Sequence, residues 1–259
     1  MIFHQPGNSF SNYTYNATIY HNVEWSHHFH KNFELIYVIS GTVNCIVNHQ
    51  ADTLKAGDWG MCLSNEVHAI RSTEDSLFWV GVFSGDFVHA FEKQIKNKTG
   101  EHFKFRCSRE IEEYLKAVLI NETRPHIYVL KSALYAACSE YCRQIPLKER
   151  TNKHDILMKD IVDYISLNFQ NKIELSDMSA ALGYDYYYVS KCFHKIFSMS
   201  FTEFLNLYRL EHALMLLTET NKNITSIAYE SGFQSIRNFN HVFKAYTGKS
   251  PSEYRISQT

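Results

Sequence analysis

The stretch Ile224-Thr-Ser-Ile-Ala-Tyr-Glu-Ser-Gly-Phe-Gln-Ser-Ile-Arg-Asn-Phe-Asn-His-Val-Phe-Lys244 predicts two short helices joined by a tight turn. Ala228 is a small residue that lets the two helices approach closely, and Gly232 allows the tight turn between them. Ser235 is the predicted N-cap of the second helix, because its side-chain oxygen can accept a hydrogen bond from a free backbone N–H. This order of residues is typical of a helix-turn-helix.

The same pattern occurs 49 residues earlier, where Ser179 and Gly183 take the places of the small residue and the glycine. Asp185 is the corresponding N-cap. Two capping boxes, Ser200-Phe-Thr-Glu203 and Ser250-Pro-Ser-Glu253, follow the two copies. A single copy would favour a helical bundle without a DNA role. The internal duplication instead favours two copies of one DNA-binding unit.

The residue sequence of the second copy resembles the signature of the AraC/XylS transcription regulators, and it ends in Thr247-Gly-Lys-Ser-Pro-Ser-Glu-Tyr-Arg255. The first copy is similar to that family's more variable unit, and the resemblance covers roughly residues 155–255. It implies two helix-turn-helix units rigidly joined by one long helix, here about Phe201–Thr218. It also implies a sequence-specific regulator, an activator, whose partners are double-stranded promoter DNA and RNA polymerase.

Side chains that face outward from the second helix of each copy are the candidate DNA contacts, by periodicity and by the resemblance. They are Tyr187, Ser190, Lys191, Lys195, Arg237, Asn238, Asn240, His241 and Lys244. Arginine suits guanine, asparagine suits adenine, and lysines one turn further along suit phosphate. The inward residues are predicted to be core: Val189, Phe193, Phe239 and Phe243.

The charge of the helical half departs from what DNA binding alone favours. Residues 151–259 contain 11 Lys and Arg against 11 Asp and Glu, and the whole chain has a net charge of −1. A net charge of zero predicts weak non-specific affinity for DNA. We therefore expect a homodimer, formed through the amphipathic helix predicted from about His126 to Ile145. Its apolar stripe, which includes Leu134, is wide enough for a core face or a dimer face.

The first half of the chain has a β-like pattern of short runs such as Phe33-Glu-Leu-Ile-Tyr-Val-Ile-Ser40, separated by turn signals. Short strands at close spacing favour a sandwich or a small barrel. The predicted fold class is therefore α+β with two domains. These are a cupin-like β-barrel with following helices over residues 1–147, a polar linker over 148–154, and an all-α DNA-binding domain over 155–259.

The run His28-Phe-His30, followed by Glu34 and Gly41, resembles the first cupin motif, and the segment from Gly57 to His68 resembles the second. Three histidines and a carboxylate could bind a divalent transition metal. Leu63 and Asn65, however, stand where the metal-binding form of the motif has Pro and Gly. The resemblance therefore favours a small-molecule effector, such as a sugar, with no metal and no cofactor. The candidate effector-binding residues are Trp25, His28, His30, Glu34, Tyr37 and His68, with Trp59 and Trp79 as further aromatic candidates.

The composition and the lack of other motifs restrict the function further. The six cysteines form no CxxC pair, the first ten residues have no signal-peptide pattern, and the apolar runs are too short to cross a membrane. We therefore expect a cytoplasmic protein. No nucleophile–base motif, P-loop or dinucleotide fingerprint is present, so an enzyme is not expected. Two alternatives stay open, a metal-dependent cupin enzyme with an appended helical domain and a regulator without a ligand.

Overall fold

The computed structural model divides into two compact units, Met1–Asn152 and Lys153–Thr259. The residues described are 3–4, 15–48, 50–73, 75–197 and 199–258. The N-terminal unit combines β-sheets with helices and the C-terminal unit is all-α, which confirms the predicted α+β fold class. None of the helices in these ranges is long and apolar enough to cross a membrane.

Two five-stranded sheets form the N-terminal unit, and their strands are antiparallel apart from the β1–β3 pair. In chain order the strands are β1 (Phe3–His4), β2 (Tyr15–His21), β3 (Glu24–Phe29), β4 (Phe33–Ser40), β5 (Thr42–Val47), β6 (Gln50–Lys55), β7 (Trp59–Cys62), β8 (His68–Ser72), β9 (Leu77–Phe83), β10 (Lys98–Gly100), β11 (Lys104–Phe105) and β12 (Leu147–Glu149). The first sheet has the order β1-β3-β8-β5-β6 and the second has the order β11-β7-β4-β9-β2. β10 and β12 form a separate pair.

Strand β4 lies between β7 and β9 and is covered on both faces. Phe33, Leu35 and Tyr37 pack into a core shared with helices, whereas Ile36 and Val38 pack into a core shared with the first sheet. Successive side chains of a strand point to opposite faces, so one strand contributes to both cores.

Three helices cover the outer face of the second sheet: α1 (His89–Gln94), α2 (Arg109–Leu115) and α3 (Ile127–Gln144). The bounds of α3 agree with the predicted helix. Its apolar stripe is buried within the chain, since Leu134 is fully buried and Leu130 and Tyr141 are nearly so. The prediction that this stripe, including Leu134, forms the dimer face is therefore wrong, because it packs against the unit's own core.

The segment predicted as a polar linker is largely structured. Strand β12 pairs with β10, and Arg150 donates its backbone N–H to the carbonyl of Asn97 at 2.8 Å. The next helix begins at Lys153. The division between the two compact units, after Asn152, lies within the predicted linker of 148–154, although Lys148 and Glu149 belong to β12 and a helix begins at Lys153. The side chains of Lys148 and Glu149 face solvent, so the strand has no apolar alternation in the sequence.

The C-terminal unit consists of helices α4 (Lys153–Asn168), α5 (Leu175–Leu182), α6 (Tyr186–Phe197), α7 (Phe201–Glu219), α8 (Ile224–Glu230), α9 (Ile236–Thr247) and α10 (Pro251–Gln258). The pairs α5–α6 and α8–α9 are the two predicted helix-turn-helix units. The long helix α7 packs against members of both pairs, which confirms the predicted connection between them. The capping boxes at Ser200 and Ser250 are both present, with Glu203 and Glu253 bonded back to the N-cap residues.

Gly232 occupies a position whose backbone conformation disfavours any other residue and whose surroundings leave no room for a side chain. Its φ is +88°, and a Cβ atom there would lie 2.5 Å from the carbonyl oxygen of Phe169 and 2.7 Å from the Cα of Gln170. Arg209 of α7 donates Nε–H to the same Phe169 carbonyl at 2.8 Å, which fixes the backbone that follows α4. Around Gly183, with φ +72°, no atom of the residues that the structure describes lies within 4 Å of such a Cβ.

We predict that Gly232→Ala destabilises the C-terminal unit more than Gly183→Ala does. The left-handed backbone costs an L-residue about 1–2 kcal/mol at either position. Only Gly232→Ala also forces a methyl group into fixed backbone, which adds about 1–3 kcal/mol. Urea unfolding followed by far-UV circular dichroism measures the difference. Equal losses in the two variants would contradict the proposed contact with Phe169.

Glu211 on α7 is 6% exposed, and neither of its carboxylate oxygens has a hydrogen-bond partner among the described residues. Burial raises the pKa of Glu211 well above its ordinary value of about 4.5. When the pH exceeds the ordinary pKa of a glutamate, Glu211 loses its proton in the unfolded chain but keeps it in the folded chain. Stability therefore falls as the pH rises through and above this value.

We predict that Glu211→Gln stabilises the protein at neutral pH and has little effect near pH 4 (about the ordinary pKa of a glutamate). Glutamine is close in shape to a protonated glutamate and carries no ionisation penalty, so the gain in Tm grows with pH. Thermal unfolding of both proteins across this range measures it. A gain that is independent of pH would contradict the assignment.

Candidate nucleic-acid interface and histidine–carboxylate cluster

The first candidate recognition helix is α6. Asp185 accepts a hydrogen bond from the N–H of Tyr188 at 2.9 Å, which confirms the predicted N-cap. Val189 and Phe193 are buried, as predicted, and the opposite face of α6 carries exposed side chains. The predicted DNA contacts on α6 are exposed apart from Ser190, which is half-buried: Tyr187, Ser190, Lys191 and Lys195.

Tyrosines make α6 unusual for a recognition helix. Tyr187 is 80% exposed and Tyr186 beside it is 46% exposed. Tyr184 instead donates its hydroxyl to Asp160 of α4 at 3.1 Å, so it holds the unit together. Tyr186 was not among the predicted contacts. Its exposure and its position next to Tyr187 at the start of the helix make it a further candidate for contact with DNA.

The second candidate recognition helix is α9. Ser235 accepts a hydrogen bond from the N–H of Asn238 at 3.2 Å, which confirms this N-cap as well. Phe239 and Phe243 are fully buried in a core with Phe233. The predicted DNA contacts on α9 are all exposed: Arg237, Asn238, Asn240, His241 and Lys244.

The cations of this helix are available to an external ligand. No carboxylate in the described ranges forms an ion pair within 4.0 Å of Arg237 or Lys244. Arg237, His241 and Lys244 follow one another at intervals of four and three residues, so they lie on one face of α9. That face can present a guanidinium, an imidazole and an ammonium group to the edges of bases and to phosphates.

In the N-terminal unit the structure brings together four of the predicted effector-binding residues. His28 is the last residue but one of β3, His30 directly follows that strand, Glu34 lies on β4 and His68 begins β8. One potential ligand atom from each of the four lies within 4.8 Å of the others. All four residues are between 1% and 5% exposed, so the cluster is closed to solvent.

The three imidazoles are all oriented in the same way. Each Nδ1 lies 2.8–2.9 Å from a main-chain carbonyl oxygen, so each Nδ1 carries the proton and donates it. The acceptors for His28, His30 and His68 are the carbonyls of Ser26, Asn32 and Glu66. Each neutral imidazole then has its Nε2 lone pair available on the other side of the ring, where the carboxylate of Glu34 lies.

The electrostatics of the cluster follow from burial and from this carboxylate. Burial, together with the nearby His68, lowers the pKa of His28 to about 3. Burial alone would raise the pKa of Glu34, but the neighbouring His68 and His30 rings hold it well below its ordinary value. Burial likewise opposes protonation of His68, yet the Glu34 carboxylate raises the pKa of His68. At neutral pH the cluster therefore contains an ionised carboxylate that attracts a positive charge.

Tyr37 does not belong to this cluster, contrary to the prediction. It lies on the opposite face of β4 from Glu34 and donates its hydroxyl to Glu112 of α2 at 2.8 Å. Trp59 and Trp79 lie in the same helix-side core and are core residues. Trp25 is half-buried beside the cluster, with its ring edge-on to His28 at 6.3 Å.

The departure from the cupin motif at Asn65 is explained by its backbone. Asn65 adopts φ +61°, a conformation in which glycine is usual and asparagine is tolerated better than most residues. Its N–H donates to the carbonyl of His30 at 2.9 Å, which ties this turn to the cluster. The substitution therefore preserves the turn that positions His68.

Comparison with known proteins identifies the C-terminal unit. Residues 178–257 match the family described as "Helix-turn-helix domain". A segment of 112 residues is 32% identical to the HTH-type transcriptional activator AarP of Providencia stuartii and covers 43% of this chain and 83% of AarP. Another relative is an uncharacterised HTH-type transcriptional regulator of Staphylococcus aureus strain MSSA476, 37% identical over 102 residues. That match spans 39% of this chain and only 14% of the relative's length.

The whole chain resembles ToxT from Vibrio cholerae in fold. The TM-score is 0.54 at 17% sequence identity, and the match covers 94% of this chain and 98% of ToxT. At this identity the likeness concerns the two-domain fold alone. One of the solved ToxT structures holds an unsaturated fatty acid.

Proposed function

Since this chain belongs to the AraC/XylS family of helix-turn-helix transcription regulators, we propose that it reads promoter DNA with α6 and α9 under the control of an effector bound by its N-terminal unit. The observation that carries the proposal is the duplicated helix-turn-helix, in which each second helix buries its aromatic face and exposes a polar one. Two such helices can enter successive major grooves on one side of the duplex.

Different side chains on α9 serve affinity and specificity. Arg237 is suited to the O6 and N7 atoms of a guanine, and Asn240 to the N6 and N7 atoms of an adenine. Lys244, one turn beyond His241, is suited to a phosphate, which carries no sequence information. On α6, Lys191 and Lys195 supply charge while Tyr187 and Ser190 supply hydroxyl groups.

We predict that Arg237→Ala weakens binding to the cognate site by about 1–3 kcal/mol and relaxes the preference at one base pair. Lys244→Ala should weaken binding to all sequences alike and lower the dependence of affinity on salt by about one phosphate contact. Fluorescence anisotropy on the selected site, on single-base variants and at several salt concentrations measures both effects.

Lys222→Ala is the matched control for loss of a positive charge, because Lys222 is paired with Glu230 at 2.6 Å. It should leave affinity and salt dependence nearly unchanged. Binding by Arg237→Ala with wild-type affinity and base preference would show that α9 presents a different face to DNA.

Homodimerisation is also part of the proposal, because a second copy doubles the number of recognition helices on one operator. Since Leu134 is buried, the contact has to use other residues. The beginning of α3 exposes three apolar side chains, Ile127, Tyr128 and Val129, of which Tyr128 is 76% exposed.

We predict that Tyr128→Glu yields a folded monomer that binds a two-site operator much more weakly. Leu134→Glu should instead unfold the N-terminal unit, because it introduces a charge into a fully buried position. Sedimentation velocity and circular dichroism distinguish these outcomes. A dimeric Tyr128→Glu variant would exclude this face.

We extend the proposal to a further partner and to the site of action by analogy with the family. We place the protein in the cytoplasm, where it activates transcription through contact with RNA polymerase at the promoter. We assign the effector to the N-terminal unit because that unit holds the predicted effector-binding residues; ToxT, which shares the two-domain fold, has been solved with an unsaturated fatty acid. Changes in promoter affinity on addition of an effector require that it binds the two states of the regulator differently.

A further inference from the structure

We propose that His28, His30, Glu34 and His68 bind one divalent first-row transition-metal ion, and that this ion is the effector of the N-terminal unit. The metal site stands on the geometry of the cluster alone. Its role as an effector rests on the proposed function, since it presupposes a regulator that binds DNA.

The four ligand atoms are arranged as a metal site requires. With each Nδ1–H donated to a carbonyl, all three Nε2 lone pairs converge with the Glu34 carboxylate, and no described hydrogen-bond donor satisfies them. The Nε2 atoms of His28 and His68 and the Oε1 atom of Glu34 are buried without a hydrogen-bond partner among the described residues. Buried lone pairs facing one another repel, and a cation between them removes that repulsion.

The distances also fit a single ion. Oε2 of Glu34 lies 3.3 Å from Nε2 of His30 and 3.6 Å from Nε2 of His68. Two ligands of a tetrahedral zinc ion, each about 2.1 Å from it, are about 3.4 Å apart. Imidazole nitrogens with one carboxylate favour zinc, iron, nickel and similar ions over calcium or magnesium. Carbonyls that orient metal-binding histidines through Nδ1–H are a common feature of such sites.

An organic effector would not fit among these atoms. They lie within 4.8 Å of one another and are closed to solvent, whereas a ligand pocket encloses several hundred cubic ångströms. A groove of about 580 Å³ does border the neighbouring Trp25, but it is lined by Glu24, His27, Asn44 and Arg71 rather than by the cluster. An organic molecule in that groove is therefore an outcome that the experiment has to separate from a metal ion.

The cluster is connected to the end of the N-terminal unit through Glu66. The carbonyl of Glu66 accepts the Nδ1–H of His68 at 2.8 Å, and its buried carboxylate lies 3.6 Å from the guanidinium of Arg150. Arg150 also donates to the carbonyls of Ser64 at 3.3 Å and Lys98 at 3.1 Å. It lies three residues before Lys153, where the first helix of the DNA-binding unit begins.

This connection gives the ion a route to the DNA-binding unit. An ion that holds His68 also holds Glu66 through the His68–Glu66 hydrogen bond, and Glu66 in turn holds Arg150. Loss of the ion frees the His68 ring and loosens the turn from Leu63 to His68, to which Arg150 is bonded. Occupancy of the cluster therefore changes how firmly the connecting segment is anchored.

The first experiment tests the metal site on the full chain, made metal-free by dialysis against a chelator. Zn²⁺ is titrated by calorimetry, its stoichiometry is measured by mass spectrometry of the elements, and Co²⁺ is used for its visible absorption. We expect one ion per chain and a rise in Tm of about 5 °C or more when the ion is in excess. His28→Ala and Glu34→Gln should each weaken Zn²⁺ binding by at least 100-fold, about the upper range for outer-shell changes at metal sites.

His27→Ala is the matched control, because His27 is the exposed neighbour of His28 and should keep full Zn²⁺ binding. Glu34→Gln keeps the shape of the side chain, so it remains informative even if His28→Ala fails to fold. The metal site would be overturned if the wild-type chain bound neither Zn²⁺ nor Co²⁺. It would also be overturned if His28→Ala and Glu34→Gln bound Zn²⁺ as tightly as the wild-type chain does. An organic effector in the Trp25 groove would then be the better explanation.

The second experiment tests the effector role by measuring promoter affinity with and without Zn²⁺. Wild-type affinity should change by at least about 5-fold, the lower range for allosteric coupling. Arg150→Gln should still bind one Zn²⁺ per chain but lose this response, and Glu66→Gln serves if Arg150→Gln does not fold. Zn²⁺ binding without any change in wild-type affinity would refute the effector role. A chain that binds Zn²⁺ but no promoter DNA in either state would instead count against the proposed function.

Discussion

Strand β4 divides the N-terminal unit into two cores, because its neighbours β7 and β9 hold it in the middle of a sheet that is covered on both faces. Side-chain direction along a strand alternates strictly, so a shift of one residue would exchange the two faces. The observed register places Glu34 towards the first sheet, where His28 and His68 face each other across β3 and β8. It places Tyr37 on the other side, among the helices. The position of the only carboxylate in the cluster thus depends on the pairing of this one strand.

The C-terminal unit has no net positive charge, but several of its acidic residues cap helices or form ion pairs within the unit, which leaves the basic groups of the recognition helix available to DNA. Asp185, Glu203 and Glu253 cap helices, and the hydrogen bonds they accept lower the pKa of Glu203 and Glu253. Other acids are paired within the unit, as Asp163 is with Lys159. The basic groups of α9, by contrast, form no such pairs among the described residues. The local charge at the recognition helix, rather than the total of the unit, therefore determines how it meets a phosphate backbone.

Local signals in the sequence predicted the helical half well, because caps, turns and small residues act within four residues of one another. The N-caps at Asp185 and Ser235, the long helix α7 and the buried Phe239 and Phe243 all agree with the structure. Signals in the N-terminal half were less decisive. An apolar stripe such as that around Leu134 is the same whether it packs against its own sheet or a second copy. Which face of β4 receives Tyr37 depends on strand pairing between distant segments, which composition does not encode.

The segment before the second unit shows most clearly that a polar sequence without an apolar pattern can form a strand. Residues 147–149 have the composition of a flexible linker, yet their backbone pairs with β10 and their charged side chains need no core. Arg150 is then buried by ion pairing with Glu66 rather than by apolar packing. A buried ion pair is destabilised strongly when one partner is displaced, because the other charge is left without compensation. Displacement of Glu66 therefore strongly weakens the attachment of this segment, because the guanidinium of Arg150 would lose its buried counter-charge.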